Sequence, residues 1–161
     1  MNEFLWALAI IFHLEGGWTE IDGGTNFGIT AATLANANRQ QIVLTRDIRN
    51  ITRREAAVIY YHMFWRESRA YRYPYPLNLV MFDAAVHTGP GRARNIMDTA
   101  RRNSPPNASP RQVAREFVRE RYRRLTKLRN YQTFGRGWRR RMQIIMAHVN
   151  DTRPRRMHVA R

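Results

Sequence analysis

The sequence predicts a mainly α fold with one small β-hairpin. Helix caps and breakers recur along the chain, with apolar stripes at spacings of three and four between them. One segment, WTEIDGGTNFGIT, instead alternates loosely around Asp-Gly-Gly and reads as a small hairpin or irregular β-loop. A chain of 161 residues without an internal repeat suits one domain, 1–161, with a proper core and leaves no room for two substantial ones.

The elements follow in order. A first helix runs from about Glu3 to Leu14, because every residue from Phe4 to Phe12 is apolar and two glycines stop it. With no wet face, it is expected to be buried. After the hairpin, Thr30 caps a short helix over AATLANANRQ. Thr52 and Glu55, three apart, form a capping box before AAVIYYHMFW, a helix that carries Ile59 and Met63 into the core. Proline at alternate positions makes YRYPYP an extended connection. LNLVMFDAAVHT is apolar enough for a central helix. Gly89-Pro90-Gly91 breaks it, and Pro90 opens the next helix, through about Arg101. NSPPNASP is a loop, after which Ser109 caps and Pro110 starts the helix QVAREFVRERYRRLTKL. The last helix carries Trp138, Met142, Ile145 and Val149 as a core stripe with arginines outside it. NDTRPRRMHVAR reads as a frayed basic tail.

Composition excludes some chemistry. There is no cysteine, hence no disulfide, no thiol nucleophile and no cysteine-ligated metal. His13, His62, His148 and His158 have no spacing suggestive of a metal site, so neither a metal nor another cofactor is expected. The N-terminal apolar run is far too short to span a membrane and follows Met-Asn-Glu, not a basic segment. It reads as a core helix, with no signal peptide or transmembrane segment expected. The net charge of +16 is lopsided: residues 1–100 hold 10 basic and 9 acidic side chains, residues 101–161 hold 18 and 3. All but one of the basic residues are arginine, whose planar fork suits phosphate and carboxylate. Such a balance fits a polyanionic partner or simple solubility. Nucleic acid is not the expected partner, for the chain has neither a glycine-rich aromatic RNA motif nor a clear reading helix.

Glu15 is the residue that points to chemistry. It ends the apolar helix in the run FLWALAIIFHLEGGW, near the negative end of the helix dipole and against hydrocarbon. Both effects penalise a carboxylate and raise its pKa, which suits a general acid. A helix-end glutamate pointing into water is the plain alternative. Glycoside hydrolysis usually takes two carboxyl groups. Asp22, on the glycine-rich turn just beyond, is the best second member, and Glu20 competes with it. Asp22 could equally be an Asx-turn residue that shapes the bend. Thr25 and Asn26 next to it offer neutral groups to hold a water or a sugar hydroxyl.

EGGW, DGGTNFGIT, ITRREAAVIYYHMFW, FDAAVHTGPGRA and FGRGW occur here in the order found in the glycoside hydrolase family 108 lysozymes, which the chain therefore resembles over nearly its whole length. The resemblance implies a lysozyme-like fold and cleavage of the β-1,4 bond between N-acetylmuramic acid and N-acetylglucosamine in peptidoglycan. It maps the catalytic acid onto Glu15. It implies a catalytic part over 1–88, a helical C-terminal part over 89–149 that serves in wall binding, and a basic tail over 150–161. An endolysin of this kind is expected to be a monomer that waits in the host cytoplasm until it is released to the wall. Its C-terminal arginines would then meet anionic envelope polymers or lipopolysaccharide. A lytic transglycosylase and a non-catalytic wall-binding protein are the competing readings.

The loop before Gly-Gly-Thr-Asn is shorter here than is usual in the family, pared to WTEID, and His87 stands where the family typically has asparagine. His87 is a sugar contact, a group that tunes Glu15, or an ordinary helix histidine. Trp18 is either a stacking face for sugar or a core plug. Asp83, inside an apolar helix, needs buried partners and reads as structural. Trp138 reads as packing.

Overall fold

The structure, a computed structural model, describes residues 3–15 and 24–152. Helix α1 (Glu3–Glu15) is followed by strands β1 (Thr25–Asn26) and β2 (Ile29–Thr30) and by α2 (Ala31–Arg39). A 3-10 turn at Ile48–Asn50 leads into α3 (Arg53–Ile59), which continues as a π-helical stretch, Tyr60–Arg66. After a second 3-10 turn at Ala70–Arg72 come α4 (Leu77–Thr88), α5 (Pro90–Arg102), α6 (Pro110–Leu125) and α7 (Tyr131–Asn150). The mainly α architecture with its small hairpin is the one expected. No helix among the described residues is long and apolar enough to cross a membrane.

Local signals place most helix starts. Thr30 accepts from Thr33 N at 3.1 Å and caps α2. Thr52 and Glu55 form the full reciprocal box at α3, as Ser109 and Gln112 do at α6, where Pro110 takes the first turn. Gly89, with φ of 91°, turns the chain between α4 and α5.

Helix α4 is the axis of the core. All nine residues from Leu77 to Ala85 are buried, and α1, α5, α6 and the π-helical stretch pack around it. Phe82 anchors an aromatic cluster with Phe4, Tyr60 and Trp65, ring centroids 5.3–6.1 Å apart. Helix α7 lays Met142, Ile145 and Val149 into the same core, with Trp138 half-buried beside them.

Three expectations need correction. Helix α1 does have an uncovered edge: Phe4, Ala7, Leu8 and Ile11 are buried, but Leu5 is 51% exposed. The helix packs chiefly against α4 and the π-helical stretch, which leaves Leu5 largely uncovered by the described residues. The strand pairing, Thr25 with Thr30 and Asn26 with Ile29, turns at Phe27-Gly28, later than the Asp-Gly-Gly centre expected, most of which lies outside the described residues. Both turn residues have positive φ, 51° and 75°, as a type I′ turn demands. The YRYPYP connection begins with a helical turn, Ala70–Arg72, and becomes extended only at Tyr73, because Tyr73 N bonds back to the Ala70 carbonyl. The expected basic tail falls mostly outside the described residues.

Candidate active site

Glu15 is the last residue of α1, and its side chain is 20% exposed. The hairpin turn closes over the stem of that side chain. A Cβ added at Gly28 would lie 2.6 Å from Glu15 Cβ and 2.5 Å from the Tyr60 hydroxyl, so only glycine fits there. Tyr60, fully buried, donates from its hydroxyl to the Phe27 carbonyl at 3.0 Å and thereby holds the turn down. Burial, reinforced by the negative charge of Glu15, pushes the Tyr60 pKa well up and keeps that donor protonated. Asn26 donates from Nδ2 to the Ile48 carbonyl at 3.3 Å, which ties the hairpin to the following 3-10 turn.

The sequence expects hydrocarbon around the Glu15 carboxylate. The structure puts a guanidinium there instead. Arg141 Nη2 lies 2.7 Å from Glu15 Oε1 and 2.8 Å from Asp83 Oδ1. The N–H directions of Nη2 miss both oxygens, so these are contacts between charges and not aligned hydrogen bonds. Alignment is supplied by Arg141 Nε, which donates to Asp83 Oδ1 at 2.9 Å. Asp83 Oδ2 accepts in turn from the buried Arg121 Nη1. Burial opposes the Arg141 charge, but Asp83 and Glu15 outweigh it and raise its pKa further. Burial likewise penalises the Asp83 carboxylate, yet Arg121 and Arg141 hold it below the usual carboxylate range.

A cavity of about 370 Å³ opens beside this network, between the end of α1 (His13, Leu14), His87 of α4, and Gly137, Trp138 and Arg141 of α7. The His87 and Trp138 rings meet edge to face at 6.0 Å. Burial, with help from the charges of Arg121 and Arg141, lowers the His87 pKa to about 4. Its Nδ1 is buried with no partner among the described residues.

Of the residues singled out in the sequence, the structure brings Glu15 against the hairpin that carries Thr25 and Asn26, and sets His87 in the cavity next to Glu15's helix end. Trp18, Glu20 and Asp22 lie outside the described residues. Sequence reasoning passed over Arg141, Arg121, Gly28 and Tyr60. A signal for the arginines was present. Arg121 stands at the period of the buried stripe Val113, Ala114, Phe117, Val118 and Leu125, and Arg141 lies three after Trp138 and four before Ile145. An arginine in register with a core stripe must meet a buried carboxylate, and Asp83 was available.

The side chain of Glu15 is thus held between a hairpin and a guanidinium that also lines a small cavity. Residues 8–89 match the family model described as glycosyl hydrolase 108, just over half of the chain, and the protein belongs to that family. It is a glycosyl hydrolase. The match takes in Glu15, Gly28, Tyr60, Asp83 and His87 and ends before Arg121 and Arg141. No curated protein matches the chain. Among solved structures it is similar to that of Brucella abortus SagA, with a TM-score of 0.78 at 24% identity, covering 94% of this chain and 98% of that one. The lysozyme-like fold expected from the resemblance is thus borne out over nearly the whole chain.

Proposed function

We propose that this glycosyl hydrolase is a muramidase of the endolysin type, which cuts the β-1,4 bond between N-acetylmuramic acid and N-acetylglucosamine in peptidoglycan. The observation that carries the reading is the state of Glu15. One of its oxygens rests on Arg141, the other has no partner among the described residues, and Arg141 itself lines a cavity of about 370 Å³ that opens beside the end of α1. Glu15 protonates the leaving glycosidic oxygen as the sugar gains oxocarbenium character. Arg141, anchored by Asp83, positions the carboxyl group so that the free oxygen faces the bond. Asp22, or Glu20 in its place, supplies the second carboxylate that activates water or attacks the sugar. Thr25 and the remaining oxygen of the Asn26 amide help to hold that water, while Trp18 and His87 contact the sugar.

Digestion of purified peptidoglycan followed by mass spectrometry tests the assignment. Fragments with a reducing N-acetylmuramic end support it. Reducing N-acetylglucosamine ends overturn it, and 1,6-anhydro ends replace hydrolysis by transglycosylation. The arginine-rich C-terminal part acts as an electrostatic tether to anionic envelope polymers or lipopolysaccharide. Some of its charge is already matched on α6, where Glu116 and Glu120 pair with Arg119, Arg123 and Arg124. Adsorption to whole cell walls therefore weakens as salt rises, and adsorption indifferent to salt contradicts the tether.

A further inference from the structure

We infer that the cavity between α1 and α7 binds a carboxylate carried by the substituent of the muramyl sugar, and that Arg140 is the residue that receives it. The inference rests on the muramidase reading and adds a determinant of specificity to it. Four observations support it. First, the cavity lies at the residues immediately before Glu15, and its volume of about 370 Å³ is at the small end of ligand pockets, room for a sugar substituent and not for a long chain. Second, its described walls include Arg140, Arg141, His13 and His87 and no acidic side chain. Third, the two guanidiniums are not equivalent. The Arg141 charge is matched by Asp83 and Glu15, whereas Arg140 pairs with no carboxylate among the described residues. An unmatched guanidinium in a wall without acids is suited to a carboxylate through its planar fork. Fourth, the buried His87 Nδ1 has no partner among the described residues, and the Trp138 ring meets the imidazole edge to face. Uncharged above about pH 4, that imidazole offers a hydrogen bond to an amide or hydroxyl next to the carboxylate. A sugar substituent that joins a carboxylate to amides matches this lining, and a neutral chito-oligosaccharide does not.

Sedimentation binding to peptidoglycan tests this in the Glu15→Gln background, where no turnover intervenes. Two walls are compared, one native and one with its carboxyl groups amidated by carbodiimide and ammonia. Glu15→Gln is expected to bind the native wall about tenfold more tightly than the amidated one. Arg140→Gln in that background narrows the gap to less than about twofold, while Arg129→Gln, an arginine that is likewise exposed but away from the cavity, leaves most of it. Equal narrowing by the two substitutions means diffuse charge attraction and overturns the inference, as does an unchanged gap with Arg140→Gln. Glycan strands stripped of peptide by an amidase, whose lactyl carboxylates are freed by that cleavage, refine the site: a gap that vanishes on them assigns the stem-peptide carboxylate, and a gap that persists shows that the site accepts the lactyl carboxylate as well. A wild-type enzyme that cleaves no wall, with the Arg140-dependent gap intact, refutes the muramidase reading and leaves the carboxylate site standing.

Discussion

Two carboxylates share the Arg141 guanidinium, and the ends of the network they occupy differ in nearly every other respect. Asp83, at the centre of α4, is fully buried, and both its oxygens are taken, one by Arg141 and one by Arg121. Glu15, at the last residue of α1, is 20% exposed and has one oxygen on Arg141. Asp83 has both oxygens engaged by arginines and is fully buried, which suits a structural role. Glu15 has no partner for its other oxygen among the described residues, as the proposed role of proton donor requires. The difference is one of position on the helix. A residue in the middle of a central helix is enclosed by neighbours on all sides, whereas a helix end faces whatever loop comes next, here the hairpin turn at Phe27-Gly28.

The sharpest way to break this contrast is to remove each carboxylate and measure stability. Asp83→Ala strands the fully buried Arg121, leaves Arg141 only its contact with Glu15, and is expected to cost about 3–5 kcal/mol in urea unfolding. Glu15→Gln is expected to cost less than about 1 kcal/mol, because the group is partly solvated and Arg141 keeps Asp83. Equal costs would erase the distinction between the two ends.

A smaller effect is expected at the shared cation. Arg141→Gln leaves Asp83 with Arg121 but frees the Glu15 side chain, and should slow wall hydrolysis about 10–100-fold. A folded variant whose rate stays within about twofold of the wild type would contradict a positioning role for Arg141.

The smallest expected effect concerns His87. Its pKa in the folded protein, about 4, lies below the ordinary value of 6.5. The unfolded chain therefore takes up this proton first as pH falls, and stability is lost between about pH 6.5 and 4. In His87→Gln that part of the acid destabilisation should disappear from melts recorded across the same window. An identical pH slope in the variant would remove His87 from the buried network.

What the sequence made legible was local. The caps at Thr30, Thr52 and Ser109 lie within three residues of the groups they bind, and each is found where it was expected. Asp83 was legible as structural from the apolar helix around it. The identity of its partners was not, because Arg121 and Arg141 arrive from helices 38 and 58 residues away in the chain. The one-dimensional pattern marked both as lying on core stripes but did not say which face of α4 they would meet. The same limit hid Gly28, whose need for glycine comes from Glu15 and Tyr60, one on either side of it in the sequence. The dependence of the site on α7 is also invisible to the family match, which stops at residue 89.

The account turns on Glu15 as the reacting acid, and the rate of Glu15→Gln on purified peptidoglycan, with circular dichroism to show that the fold is intact, tests it most directly. A folded variant whose hydrolysis falls by about 10²–10⁴-fold is the predicted result. A folded variant that keeps its rate within about twofold of the wild type contradicts it, since a general acid contributes far more than that.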